Sequence, residues 1–194
     1  MRFLLLALIC LLSPLSLANP NKNQSFESVD RLINANYPQF IQAFTTLDAE
    51  ITRGIYAEDT SYLSESQSKE IYYGRENIVG IYQKFFDKIR AKKAHIDVDF
   101  RILNRKIVGN SAIDTGYYLV RFYPAEETGE PVSEFAGKFA IGTQKVAKDL
   151  WQITLDTNNR AEPSFYHNAK PVPNLYYGRQ FPPLPANNKK VPKS

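Results

Sequence analysis

Residues 55–86 read IYAEDTSYLSESQSKEIYYGRENIVGIYQKFF, and this stretch decides the fold class. Thr60 to Leu63 has the composition of a short strand. The Ser/Glu/Gln/Lys cluster at 64–70 is loop-forming, and Ile71-Tyr72-Tyr73 is a second extended piece. From Arg75 to Ala91 the pattern changes. Ile78, Ile81, Tyr82, Phe85, Phe86 and Ile89 recur at intervals of three and four, which predicts an amphipathic helix with one broad apolar stripe.

Upstream, Phe26 to Thr46 also has helical spacing, through Phe26, Val29, Leu32, Ile33, Phe40 and Phe44. Pro38 must kink that helix or begin a second segment. Asp48 is suited to cap a short helix through Ile51 and Ile55. Downstream the period becomes two. Ile96, Val98, Phe100 and Ile102 alternate with Asp97, Asp99 and Arg101. A turn at Gly109-Asn110 separates that strand from Ser111–Tyr123, and Pro124 to Pro131 is a polar loop. Strands at Ser133–Val146 and Leu150–Thr157 follow, joined near Ala147–Asp149. Helices first and a run of antiparallel strands afterwards is an α+β plan: N-terminal helices packed on a strongly curved, mainly antiparallel sheet that encloses a pocket.

Strand parity assigns the faces. Phe135, Gly137, Phe139 and Ile141 share one side; Glu134, Ala136, Lys138 and Ala140 share the other. Trp151, Ile153 and Leu155 alternate with Gln152, Thr154 and Asp156. One face is apolar and belongs under the helices. The other is mixed and charged, expected to be solvated or to make polar contacts only, with Asp156 paired across strands to Arg or Lys. Gly116, Gly137 and Gly142 are the places where the strands can bend or bulge.

This order of elements resembles the SnoaL-like, nuclear transport factor 2-like fold, a cone of helices closed by a curved sheet. The resemblance spans about residues 27–160 and rests on three segments. In 55–86 the matching positions are Tyr56, Asp59, Gly74, Ile78, Phe85 and Phe86. IVGNSAIDTGYY (107–118) is similar to the strand pair that follows, and KDLWQITLDTNN (148–159) to the closing strand with its Trp. The resemblance implies a pocket but no single activity, because such proteins include isomerases, cyclases, hydrolases, ligand binders and interaction modules. In ketosteroid isomerases of this fold a general-base Asp lies five residues after the Asp matched by Asp59. That position here is Ser64, with Glu65 next to it and expected on the opposite face, so the resemblance argues against that mechanism.

Asp114 is the carboxylate singled out as a catalytic acid–base. Ala112, Gly116, Tyr118, Val120 and Phe122 share its parity, and an acid among apolar groups has a raised pKa. The competing reading places it, solvated, near the start of its strand. Tyr56, Asp59, Tyr62, Tyr82, Phe86, Phe100, Tyr118, Phe135, Phe139 and Trp151 are the candidate pocket lining, aromatic walls in which the tyrosines carry polar tips. The competing reading of the aromatics is plain core, and of Asp59 a turn-closing side chain. The two histidines are His95 and His167, and the only cysteine is Cys10. Neither a metal site nor a cofactor motif is expected: no phosphate-binding loop and no G-x-S-x-G elbow occurs.

The ends read differently from the middle. Residues 1–18 have the three-part plan of a cleavable export signal: Arg2, an apolar run from Phe3 to Leu12, and Ser16-Leu17-Ala18 as a cleavage site. The apolar run is too short to span a bilayer, so no transmembrane segment is expected after cleavage. Residues 19–26 form a polar leader, 27–160 the domain and 161–194 a proline-rich basic tail. Five cations against Glu162 in 162–194 account for the whole formal charge of +4, which argues against a nucleic-acid-binding face on the domain. Pro182-Pro183-Leu184-Pro185 favours polyproline II. The tail either packs back over the domain, or serves as an arm for an acidic envelope surface or protein. The expected function is therefore an exported, periplasmic or secreted, non-catalytic protein that binds a small apolar ligand or a protein partner. The alternatives are a cofactor-free isomerase, cyclase or hydrolase using Asp114, and a homodimeric assembly module that pairs through its sheet.

Overall fold

The computed structural model describes residues 28–65 and 69–185. The expected export signal, the leader with Phe26, and the end of the tail from residue 186 lie outside the described residues.

Residues 28–34 are helical (α1), and a turn at Ala35 leads into α2, Asn36–Thr46. Pro38 lies in the first turn of α2, where its missing N–H costs no helical bond. α2 ends on Leu47 in the left-handed conformation, and Asp48 then accepts the Glu50 amide at 2.9 Å to open α3, Glu50–Ile55. β1 (Tyr56–Leu63) follows directly, longer than the four residues expected. β2 is Tyr72–Tyr73, and α4 is Arg75–Ala91, with the bounds the apolar stripe predicts. The remaining strands are β3 (His95–Val108), β4 (Ser111–Tyr123), β5 (Ser133–Ala147) and β6 (Leu150–Ala161), and α5 is Pro163–Asn168.

The six strands form one open, mixed sheet in the order β2-β1-β6-β5-β4-β3. β1 runs parallel to β6 and every other pair is antiparallel. The main core lies between the helices and the inner sheet face. Phe40, Phe44, Ile55, Ile78, Phe86, Val98, Phe100, Phe139 and Ile153 are buried there. A smaller cluster of Ile33, Ala112 and Trp151 closes one end under α1. No helix among the described residues is long and apolar enough to cross a membrane.

Two bulges correct the expected parity. In β3 the register shifts between Ile102 and Asn104, opposite Gly116. A Cβ at Gly116 would lie 2.2 Å from the Arg101 carbonyl oxygen, so only glycine permits that approach. Beyond the bulge Arg105, not Asn104, turns inward. In β6 the register shifts between Ile153 and Leu155, opposite Gly142–Thr143. Trp151 and Ile153 are buried, but Leu155 is 41% exposed and Asp156 turns inward at 6%. A residue inserted in a strand reverses the faces beyond it. Asp156 is therefore an interior group, not the cross-strand ion-pair partner its parity implies.

The outer sheet face is also different from expectation. It carries Asp99, Arg101 and Arg121, all buried, because residues 163–185 fold back over it. Tyr166 and Phe181 pack on Leu119 and Ala136. The Tyr166 hydroxyl and the Gln180 amide donate to Asp99 at 2.9 and 3.0 Å. Arg101 donates to the carbonyls of Tyr166, His167 and Gly178, with the Tyr166 and Tyr177 rings at 4.1 and 4.6 Å from its guanidinium carbon. Arg121 bonds the Pro182 carbonyl at 2.7 Å and Glu134 at 2.8 Å, over the Phe181 ring. At the β3 edge the Ile102 amide donates to Tyr176, and the Gly178 amide donates to Phe100. A Cβ at Gly178 would meet an Asp99 carboxylate oxygen at 1.7 Å, so the strap passes only as glycine. Between the two readings of the tail, residues 163–185 take the first: they pack back on the domain, across β3 and β4.

Candidate functional site

The interior holds two carboxylates in different environments. Asp114 in β4 is 1% exposed. Arg105 reaches it with two guanidinium nitrogens at 2.6 Å each, and the Tyr37 hydroxyl donates to it at 2.6 Å. Arg105 is held in turn by Asp30 at 3.1 Å and by Asn34 at 2.9 Å. The Asp114 charge is thus matched by a bidentate cation and a phenol. Neither competing reading foresaw this: Asp114 is neither solvated nor an unpaired acid in an apolar wall.

Asp156 is the opposite case. Its carboxylate accepts the Tyr56 hydroxyl at 2.5 Å, and the Tyr56 and Tyr82 hydroxyls lie 3.2 Å apart. Among the described residues, no Lys, Arg or His makes an ion pair with it. Burial without a cation pushes its pKa up to about 6, against the pull of the Tyr56 hydrogen bond. The phenols around it respond. Burial and the Asp156 charge push Tyr56 and Tyr82 well above the usual phenol range, so both stay protonated. Tyr62 and Tyr118 are raised as well, first by burial and then by Asp156 and Glu65.

Local structure explains how these groups meet. Tyr56 opens β1 and Tyr62 nears its end, paired with Asp156 itself across the parallel strands. Tyr82 projects from α4, and Phe40, Phe44 and Phe86 pack around it. Tyr118 comes from β4 and lies across Gly137, where a Cβ would be 2.3 Å from the ring. Its hydroxyl is 3.4 Å from Asn158. Tyr62, Tyr82, Tyr118 and Asn158 are partly exposed while Asp156 is buried beneath them. Glu65 stands just past the end of β1, with one carboxylate oxygen buried and unbonded and the other 3.4 Å from Arg160. Strand parity expects Glu65 on the opposite face from Ser64, but β1 has already ended at Leu63.

Of the sequence-derived lining, Tyr56, Tyr62, Tyr82 and Tyr118 come together around Asp156. Phe100 and Phe139 pack edge to face behind them, and Phe86 lies deeper under α4. Asp59 is exposed on β1, Phe135 is 47% exposed at the start of β5, and Trp151 sits in the separate α1 cluster. Asn158, Tyr37 and Arg105 were not singled out, Asp156 was expected on the outer face as an ion-pair partner, and Glu65 was considered only as the neighbour of Ser64. The glycine opposite each bulge is the sequence signal that could have found Asp156 and Arg105. Two cavities open on the outer face instead. One, of about 340 Å³, includes Thr115, Tyr117 and Lys138; the other, of about 1090 Å³, lies between β5–β6 and α5.

An open mixed sheet with helices over one face, and tyrosines and acids at one end, defines an α+β cone. The chain has the nuclear transport factor 2-like fold. A Salmonella enterica protein of the nuclear transport factor 2-like superfamily aligns with a TM-score of 0.54 and 13% identity, over 71% of this chain and 94% of that one. A ketosteroid isomerase-like protein from Erwinia carotovora atroseptica gives 0.52 and 16%, over 69% and 96%. A Mycobacterium tuberculosis protein of unknown function gives 0.57 and 16%, over 74% and 76%. No family model and no curated protein matches the chain. Likeness at this identity establishes the fold alone, and members of this fold include both catalysts and non-catalytic proteins.

Proposed function

We propose that this protein is an exported, non-catalytic binding domain whose small ligand seats among Tyr62, Tyr82 and Tyr118, above Asp156. The observation that carries the reading is the buried Asp156 carboxylate, with no cation paired to it among the described residues, under partly exposed tyrosines. Burying such a group is unfavourable, and a site that tolerates it is suggestive of a ligand-binding role. The lining suits a ligand with a modest apolar body and one polar group. Phe40, Phe100 and Phe139 fill the space behind, so the ligand sits at the open end and not deep in the cone. The exported state rests on the sequence of residues 1–18. Native mass spectrometry of the mature protein tests the reading: a bound small molecule, lost in Tyr118→Ala, supports it. A ligand-free protein whose melting temperature no small-molecule panel raises would sink it.

A second reading has its own observation. An acid with a pKa of about 6, bonded to a phenol that contacts a second phenol, is suited to proton transfer near neutral pH. In that cofactor-free isomerase or hydrolase, Asp156 and not the Arg105-paired Asp114 takes the acid–base role.

A further inference from the structure

We propose, building on the binding reading above, that the ligand is a small organic cation, an amine or quaternary ammonium with an apolar body. Four tyrosines and two carboxylates, Asp156 and Glu65, lie at one end of the cone, and among the described residues the cation paired there is Arg160, at the surface.

The charge arrangement comes first. The Tyr56 hydroxyl donates to Asp156 at 2.5 Å, Tyr62 is paired with Asp156 across the parallel strands, and the Tyr82 hydroxyl lies 3.2 Å from that of Tyr56; the Asp156 charge helps to raise these three phenols and Tyr118. The Glu65 charge also raises Tyr62 and Tyr118. One Glu65 oxygen is buried without a hydrogen-bond partner. The Arg160 guanidinium meets the other at 3.4 Å, but its side chain is 86% exposed, so water screens and competes for that contact. The result is a negative, partly dehydrated site in which, among the described residues, no cation pairs with Asp156.

Ring chemistry points the same way. A tyrosine face is electron-rich, and several such faces around one point attract an alkylammonium, most strongly where water is excluded. The Tyr56 and Tyr82 rings lie 6.3 Å apart and tilted by 34°. An anionic ligand would meet Asp156 and Glu65 with like charge. A neutral apolar ligand would leave the buried Glu65 oxygen unbonded. A metal ion is a poor fit, because the surrounding phenols are held protonated and only Asp156 and Glu65 offer anionic oxygen. An ammonium group bonds or pairs with both carboxylates while its carbon substituents lie on the rings.

The groups that face the ligand are Tyr56 and Tyr62 from β1, Glu65 after it, Tyr82 from α4, Tyr118 from β4, and Asp156, Asn158 and Arg160 from β6. Protonating Asp156 removes half of the negative charge, so cation affinity should fall as the pH drops below about 6.

The test uses the mature full-length chain with ring-labelled tyrosines followed by NMR. The probes are choline and its uncharged isostere 3,3-dimethylbutan-1-ol, each titrated at pH 7.5. The expected result is that choline shifts Tyr62, Tyr82 and Tyr118 and binds about tenfold tighter than the isostere. Asp156→Asn and Glu65→Gln should each bring the two affinities closer together. Equal binding of both probes at these tyrosines would overturn the cation inference and leave the binding site standing. Failure of both probes to move these tyrosines at millimolar concentration would overturn both.

Discussion

Replacing the two interior aspartates by asparagine should move stability in opposite directions at neutral pH. For Asp156 the folded pKa is about 6 against an ordinary value of 3.8. Between those values the folded chain holds more protons than the unfolded one, so this group lowers stability as the pH rises. A shift of about two units, at about 1.4 kcal/mol each, amounts to about 3 kcal/mol. Asp156→Asn keeps an acceptor for the Tyr56 hydroxyl and removes that penalty. The variant should gain up to about 3 kcal/mol above pH 6, and the gain should vanish below about pH 4. Asp114→Asn is the reverse case. It leaves Arg105, whose side chain is 2% exposed, with only Asp30 as an ionic partner. Breaking a buried pair in this way costs about 3–5 kcal/mol. Urea unfolding of the parent and both variants from pH 3.5 to 8 measures each difference. A destabilised Asp156→Asn at pH 7, or a gain that does not depend on pH, would refute the assignment of Asp156 as the uncompensated acid.

Other outcomes follow from single contacts. Tyr56→Phe removes the hydrogen bond that favours the ionised Asp156, so the Asp156 titration should move up by about one unit, measurable by carboxyl-carbon NMR. Gly137→Ala forces a methyl against the Tyr118 ring and should cost about 1–3 kcal/mol in urea unfolding while weakening any ligand bound there. Gly178→Val cannot keep its amide bond to Phe100 with Asp99 in place. Limited proteolysis should then cut within residues 170–185 at a rate at least about tenfold above the parent, as expected when local opening becomes about 1.4 kcal/mol easier.

Much of the fold was legible because its signals are local. The stripe of α4, the Gly109-Asn110 hairpin and the alternation in β3 each follow from residues near in sequence. Four of the tyrosines that gather around Asp156 were also visible as aromatic residues with polar tips. What was not legible depended on strand register. Asp156 and Arg105 each lie just beyond a bulge, and one inserted residue turned them from outward to inward. Parity counted straight through a bulge must fail after it. The outer face misled for another reason. Asp99, Arg101 and Arg121 look solvated until residues 163–185 supply carbonyls, an amide and aromatic rings to them. Those partners lie some 60 to 80 residues away in the chain, beyond any local pattern.

The most direct measurement is the carboxyl-carbon NMR titration of Asp156, with and without choline at saturating concentration. The account predicts a midpoint near 6 in the free protein, lowered when the cation is bound beside the carboxylate. A midpoint in the ordinary carboxylate range near 4, unmoved by choline, would contradict it.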